Sequence, residues 1–384
     1  MKIFHLSDLH IGKQLHHYNM SAEQRHILGQ VVEAAKKERP DAVLIAGDIY
    51  DVPVPSAEAV SIFDEFLSSL NAITPSIPVL LIAGNHDSAK RIDFASSILA
   101  KHKVYIAGMP PVRAEEHIKK VTLTDEFGEV DFYLLPFVKP GYVRGMFEEE
   151  IKSYDMAVRK VIEREEIDTS RRNVLLSHQF YTASGMEPET CDSEIRMVGG
   201  IENVDTAVLE VFDYAALGHI HRAQQIGCVK NRYCGTPLPY SVSEAEDEKS
   251  ITVVELGEKG SLPQISTLHL KPLRRVRKLV GELDMILAEA TEEMRQDFVS
   301  ITLTDEVEAY QPKERLEANF DHILEIRIDN ARTRGLLEFS EEKIEDLNPY
   351  AAFCTFFKDM NGREMTKEED ALLKEVLGKN MEES

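Results

Sequence analysis

The sequence is short of positive charge. It carries 44 Lys and Arg against 67 Asp and Glu, a formal charge of −23. A surface that grips duplex nucleic acid is ordinarily basic, because affinity comes largely from Lys and Arg meeting phosphates. A chain this acidic either holds no duplex by its own surface or relies on metal ions or a second subunit for positive charge. No uninterrupted apolar run reaches the roughly 18 residues that suggest a membrane span, so none is expected. The opening MKIFHLSDLH lacks a basic segment, a long apolar stretch and a small-residue cleavage site. No signal peptide is therefore expected, and the expected location is cytoplasmic. The four cysteines, Cys191, Cys228, Cys234 and Cys354, form no C-x-x-C pair, which argues against a zinc ribbon. In IGCVKNRYCG a hairpin would set Cys228 and Cys234 face to face, and both read as reduced thiols. There is no G-x-x-x-x-G-K-[ST] loop, so no ATP is expected to bind in that mode.

What is present is enough apolar material, 43% of 384 residues, for about two or three units with real cores. One pattern recurs: an apolar strand followed by a polar residue able to bind metal. MKIFHLSDLH ends in Asp8 and His10, DAVLIAGD in Asp48, and PVLLIAGNHD in Asn85, His86 and Asp87. NVLLSHQF carries His178, and YAALGHIH carries His219 and His221. Helical stretches separate some of these strands. SAEQRHILGQVVEAAKKE opens with Ser21 and Gln24, a capping-box spacing, and its Ile27, Leu28, Val31 and Val32 share a face. SAEAVSIFDEFLSSL offers Val60, Phe63, Leu67 and Leu70 as its stripe.

Strand–helix–strand order implies parallel pairing with crossover helices. VTLTDEFGEVDFYLLPF reads as a hairpin, and SITVVEL as a late strand. The expected fold is an α/β sandwich of sheets flanked by helices over residues 1–270. A small α+β unit over 271–337 has strands in RRVRKLVGEL, DFVSITLTD and HILEIRID. An acidic helical segment occupies 338–384.

In open α/β sheets, ligands gather beyond the carboxyl ends of the strands. Asp8, His10, Asp48, Asn85, His178, His219 and His221 all fall at such ends. Carboxylate, amide-oxygen and imidazole donors together suit manganese, iron or zinc, and their number suits two ions about 3.5–4 Å apart. Glycines before Asp48, Asn85 and His219 would let the backbone turn sharply there. Each residue alone has a plain structural explanation, such as an Asx-turn or a cap. The recurrence at strand after strand does not. His5 reads as core, and His16, His17, His26 and His102 as exposed.

Asp8-x-His10, Gly47-Asp48, Gly84-Asn85-His86-Asp87, His178 and Gly218-His219-x-His221 in this order resemble the signature of the calcineurin-like metallophosphoesterases. NHDSAKRIDFAS and GTPLPYSVSEAEDEKSITVVEL further resemble the SbcD family of nuclease subunits, bacterial counterparts of the eukaryotic and archaeal double-strand-break nuclease. The resemblance implies two divalent ions, manganese foremost. Asp8, His10 and His221 would hold the first ion and Asn85, His178 and His219 the second, with Asp48 bridging. It implies His86 as a catalytic residue beside the scissile phosphate. Some archaeal relatives carry a second catalytic His where this chain has Asp51, and no role is assigned to Asp51.

The implied activity is exonucleolytic and endonucleolytic cleavage of DNA, hairpins included, in repair and recombination. The implied partner is an SbcC-type ATPase gripped by the C-terminal helices. Tyr350, Phe353, Phe356 and Phe357 lie on one helix and Leu372, Leu373, Val376 and Leu377 on the next. These faces could equally pack on their own domain. A homodimer within a heterotetramer is also implied, through the helix that begins at Ser21 or the one after His86. Two other readings compete: a two-metal phosphatase or cyclic-nucleotide phosphodiesterase, and a non-catalytic scaffold. Asp51-Val52-Pro53 and GNHD argue against a protein phosphatase, which would have Asp-Arg-Gly and GNHE. The C-terminal extension argues against a minimal phosphodiesterase, and the complete ligand set against a scaffold with a relic site.

Overall fold

The computed structural model describes residues 1–184, 186–194, 202–306 and 310–330, and near the C-terminus 350, 353–354, 357–358, 363–367 and 369–374. The chain divides into two compact units. One comprises residues 1–278, 292–300 and 320–324, and the other 279–291, 301–319 and 325–384.

Short strands build the first unit, polar or mixed at the sheet edges and almost wholly apolar where they are central, the composition of strands buried on both faces. They are β1 (Lys2–Leu6), β2 (Ala42–Ala46), β3 (Val79–Ile82) and β4 (Val104–Ala107). Next come β5 (Lys119–Asp125), β6 (Gly128–Leu135), β7 (Arg172–His178) and β8 (Tyr214–Gly218). The last four are β9 (Gln224–Ile226), β10 (Cys228–Tyr233), β11 (Ser250–Glu255) and β12 (Gln264–His269).

These strands form two six-stranded sheets, in the orders β12-β11-β1-β2-β3-β4 and β9-β10-β8-β7-β6-β5. The runs β1-β2-β3-β4 and β6-β7-β8 are parallel, as the strand–helix–strand order requires. The sheets face one another through a shared core of Ile3, Leu44, Leu80 and Ile82 from one side and Phe132, Leu134, Leu176 and Tyr214 from the other.

Outside the first sheet lie two helices, α1 (Ser21–Glu38) and α2 (Ala57–Asn71), packed on the alternate residues Phe4, Leu6, Val43, Ile45, Val79 and Leu81. The second sheet buries the helix Tyr154–Glu163 through Ala157, Val158, Val161 and Ile162. The result is the expected α/β sandwich flanked by helices.

Details differ from expectation. α1 has Met20 at its N-cap, a residue whose side chain accepts no bond from the helix; Ser21 is the first helical residue and not the cap. Gln24 bonds His10 O and Gly12 N instead of closing a capping box. Its Ile27, Leu28, Val31 and Val32 are buried in the chain's own core. α2 is capped by Ser56, whose hydroxyl accepts from Ala59 N at 3.1 Å. Its buried stripe is Ala59, Ile62, Phe63, Phe66 and Leu70. Val60 is 46% exposed, since it lies about 100° around the helix from Ala59, to the side of the buried stripe. After His86 come only short helices, Ala89–Ile92 and Ser96–Leu99, with Phe94 and Ile98 exposed. Cys228 starts β10 and Cys234 directly follows it, so they cannot face each other across a hairpin; the turn lies instead at Gly227. Both are free thiols.

Residues 276–328 contain a three-stranded sheet of Val276–Gly281, Phe298–Leu303 and His322–Ile328, in that order, with helices Leu283–Glu289, Glu292–Gln296 and Pro312–Glu317. The expected terminal helices fall largely outside the described residues, Phe356, Val376 and Leu377 among them. Leu373 is buried, while Phe353 and Leu372 are exposed. Among the described residues no helix is long and apolar enough to cross a membrane.

Candidate metal centre

The carboxyl ends of β1, β2 and β3 meet those of β7 and β8. The loop after β1 is zipped to the loop after β2 by backbone bonds: Asp8 N to Gly47 O at 2.9 Å, and His10 N to Asp48 O at 3.0 Å. Asp8, His10, Asp48 and His219 all have positive φ, from 43° to 98°. Left-handed backbone at a residue with a Cβ costs about 1–3 kcal/mol and gathers at functional sites. Here it turns four side chains inward at the strand ends.

Glycines make room for them, Gly218 included, where a Cβ would stand 2.7 Å from His178 Nδ1. A Cβ on Gly47, at φ +94°, would stand 2.3 Å from His178 Nδ1, and one on Gly84 would stand 2.1 Å from Asp48 Oδ1. Gly84 is not left-handed. Its requirement is close approach rather than the sharp turn expected there.

The donors converge. His10 Nε2 is 3.1 Å from His221 Nε2, and His178 Nε2 and His219 Nδ1 lie 2.9 and 3.0 Å from Asn85 Oδ1. Asp48 Oδ2 sits between the two groups, 3.3 Å from His178 Nε2 and 3.7 Å from His10 Nε2. Asp8 Oδ1 is 3.9 Å from His178 Nε2, and both Asp8 oxygens accept from His219 N, at 3.0 and 3.1 Å. All seven residues singled out as ligands are thus in one place. His86 stands beside them. Its backbone N–H donates to Asp48 Oδ1 at 2.9 Å, and its ring centroid lies 4.9 Å from that of His10.

Asp87, the last polar residue of the same turn, faces away from this cluster. Its carboxylate accepts from the backbone N–H groups of Gly84, Ile49 and Tyr50, at 2.9–3.0 Å. It braces the two loops against each other.

The residues fit divalent cations. Carboxylate oxygens and imidazole nitrogens, His10 Nε2 and His221 Nε2 among them at 3.1 Å from each other, are buried together. With the Asn85 amide oxygen they form a donor set of the kind divalent first-row cations take. His178 Nδ1 is 2.8 Å from Ala46 O, so that nitrogen carries the proton and Nε2 turns to the site. Burial drives His219 down to about 3, with the nearby His178 adding to it, so it is a neutral donor. For His178, burial acts downward, but Asp48 and Asp8 outweigh it and raise it to about 9. That proton must leave when a cation binds.

The pattern of this cluster and its fold matches a known family. The family model described as calcineurin-like phosphoesterase aligns with residues 1–223, more than half of the chain. The chain belongs to the calcineurin-like phosphoesterases. It is accordingly a metal-dependent phosphoesterase. A second family model, described as the type 5 capsule protein repressor C-terminal domain, aligns with residues 269–361. The chain is similar to the SbcD subunit of the nuclease SbcCD from Staphylococcus epidermidis, with 29% identity over 382 residues that cover 98% of each protein. Two solved structures share 11% and 14% identity with it. One is GAP50, the anchor in the inner membrane complex of Plasmodium (TM-score 0.39, 86% of this chain and 98% of that one). The other is a dimetal phosphatase from Danio rerio (TM-score 0.36, 70% and 98%).

Around this phosphoesterase centre are groups that no strand-end pattern reveals. Gln24 reaches in from α1 to the loop of His10. Tyr240 donates to Leu9 O, and Ser7 donates to Asp8 Oδ2. Asp51 Oδ1 accepts from Lys13 Nζ at 2.7 Å and lies 3.4 Å from His10 Nδ1. Burial would raise Asp51, but His10 and Lys13 prevail and hold it at about 2.

Proposed function

We propose that this chain is a manganese-dependent DNA nuclease subunit. It acts as a double-strand exonuclease and a single-strand and hairpin endonuclease, and works with an SbcC-type ATPase in DNA repair and recombination. The observation that carries the reading is the convergence of Asp8, His10, Asp48, Asn85, His178, His219 and His221 at one end of the sandwich, with His86 beside them. The full-length similarity to the SbcD subunit of a nuclease SbcCD supports DNA as the substrate and the ATPase as the partner.

When bound, two such ions supply a water nucleophile near neutral pH and charge relief on phosphate oxygens. In this reading His10, Asp8 and His221 would hold one ion, and Asn85, His178 and His219 the other. Asp48, whose carboxylate lies between His178 and His10, would be shared by both. His86 Nδ1 is 2.8 Å from Asp51 O, a carbonyl that can only accept. The ring is therefore oriented by an Nδ1–H bond, and its Nε2 can hold a proton for the leaving oxygen. Asp51 contributes its backbone carbonyl to this role.

Residues 1–270 form the nuclease domain in this reading, 271–337 a capping unit, and 338–384 the partner-binding segment. A homodimer within a heterotetramer, located in the cytoplasm, completes the assignment. The ATPase partner supplies both the nucleotide dependence and the basic surface that a chain of −23 lacks.

The test is cleavage of end-labelled single-stranded, hairpin and duplex DNA in manganese and in magnesium, with and without the ATPase and ATP. Manganese-dependent cleavage, with duplex ends requiring partner and ATP, is expected. Turnover of a small phosphodiester with no DNA cleavage would overturn the reading.

A further inference from the structure

The segment GTPLPYSVSEAEDEK contributes no ligand to the centre, yet it places one buried carboxylate directly behind a ligand. Glu244 is 1% exposed, and its two oxygens face different groups. Oε2 accepts from Lys249 Nζ at 2.6 Å and from Thr236 Oγ1 at 3.1 Å. Oε1 accepts from Ser193 Oγ at 2.6 Å, Ser241 Oγ at 3.0 Å and Tyr240 N at 3.2 Å. An ammonium on one oxygen and a backbone N–H on the other are obligate donors, so the group is an ionised acceptor on both sides.

Ser193 has one proton. Its oxygen lies 2.6 Å from Glu244 Oε1 and 2.7 Å from His221 Nδ1. A hydroxyl lone pair set against a carboxylate at that distance would be repulsive, so the proton lies toward Glu244. The Ser193 oxygen must then accept, and His221 Nδ1 must donate to it. That leaves His221 Nε2, 3.1 Å from His10 Nε2, with its lone pair toward the site. A neutral imidazole ligand takes its tautomer from the bond its other nitrogen makes.

We propose that Glu244, anchored by Lys249, is a positioning residue that fixes the tautomer and orientation of His221 through Ser193. The inference rests on the reading of His221 as a metal ligand. Glu244 touches neither substrate nor ion. Its effect runs along a polarised chain: Lys249 ammonium, Glu244 carboxylate, Ser193 hydroxyl, His221 ring.

The chain predicts the outcome of an isosteric change. In Glu244→Gln the amide oxygen faces the Lys249 ammonium, which at 2.6 Å is the closer and charged one of the two obligate donors, and the Tyr240 N–H at 3.2 Å loses its acceptor. The NH2 then occupies the Oε1 position and donates toward Ser193. The Ser193 proton is turned to His221 Nδ1, and Nε2 receives the ring proton. One atom far from the ions thereby reverses the ligand.

The test uses the full chain. Nitrogen-15 spectra of the imidazoles in metal-stripped protein report the tautomer, and calorimetric titration with Mn2+ reports affinity. Wild type, Glu244→Gln, Ser193→Ala and His221→Ala are compared. Ser193→Ala leaves the Glu244–Lys249 pair intact and guards against a variant that simply fails to fold. Glu244→Gln should convert the His221 signals from the Nδ1–H to the Nε2–H pattern. It and Ser193→Ala should each weaken one Mn2+ site by about 10–100-fold, the usual effect of losing an outer-shell partner. The other site should be unchanged. If His221→Ala weakens a site while Glu244→Gln leaves tautomer and affinity as in wild type, the relay is wrong and the metal reading stands. If His221→Ala leaves both sites intact, the reading of His221 as a ligand falls, and the relay with it.

Discussion

Gln24 and His10 are joined across the first turn of α1. Gln24 Nε2 donates to His10 O at 2.8 Å, while its Oε1 accepts from Gly12 N at 3.0 Å. One amide thus satisfies both sides of the loop that aims His10 into the site. Nε2 also reaches Tyr240 OH at 3.2 Å. Replacing Gln24 by Ala would remove one of the two donors to His10 O, which keeps the Lys13 N–H at 3.0 Å, and the acceptor of Gly12 N, at a cost of about 0.5–1.5 kcal/mol per bond. Thermal unfolding of metal-stripped Gln24→Ala should show a lower Tm, and Mn2+ titration a weaker site. A Tm equal to wild type would contradict the role.

Gln24 also marks the limit of what the sequence displays. Ser21-x-x-Gln24 has the spacing of a capping box, and nothing local distinguishes an amide folded back on its helix from one bonded to residue 10. The proposed ligands are legible for the opposite reason. Asp8, Asp48, Asn85, His178 and His219 each break an apolar run within one or two residues of its end, and parallel topology brings such ends together. Asp87 breaks the same run as Asn85 but turns back to three backbone N–H groups, a choice made by loop geometry. The Glu244–Ser193–His221 chain joins segments about 30–50 residues apart and has no periodic trace. Periodicity misplaces Val60 because α2 contains apolar residues around much of its circumference, and only packing selects Ile62 and Phe66.

That last difference is measurable. Ile62 is 1% exposed and Val60 46%. Ile62→Ala should cost about 2–5 kcal/mol, the range for truncating a core aliphatic residue. Val60→Ala should stay within about 0.5 kcal/mol, as surface changes do. Urea unfolding of both variants decides between the two stripes, and equal losses would contradict the assignment.

His86 should separate chemistry from metal binding. It donates a backbone N–H to Asp48, and that bond survives truncation of the ring. His86→Ala should bind Mn2+ as wild type does and lose about 10²–10⁴-fold in the hydrolysis rate, the usual contribution of a general acid. Full-rate hydrolysis by this variant would exclude the ring from the reaction.

Metal binding should release a proton. His178 is raised to about 9 by Asp48 and Asp8 against the effect of burial, so at neutral pH it holds a proton that a cation must displace. Mn2+ affinity should rise as pH rises toward 9, and calorimetry in buffers of different ionisation enthalpy should show the release. The metal-stripped protein has the reverse dependence. A raised imidazole pKa stabilises the fold fully below its ordinary value of about 6.5, and that contribution fades as pH rises through about 9. Apo stability that climbs over this interval would contradict the His178–Asp48 pairing.

The central claim is a two-ion centre bridged by Asp48, and the most direct measurement counts manganese per chain in wild type and in Asp48→Ala after equilibration and desalting. Two ions in wild type and none in the variant is the expected result. A single ion in wild type, or two retained by Asp48→Ala, would contradict it.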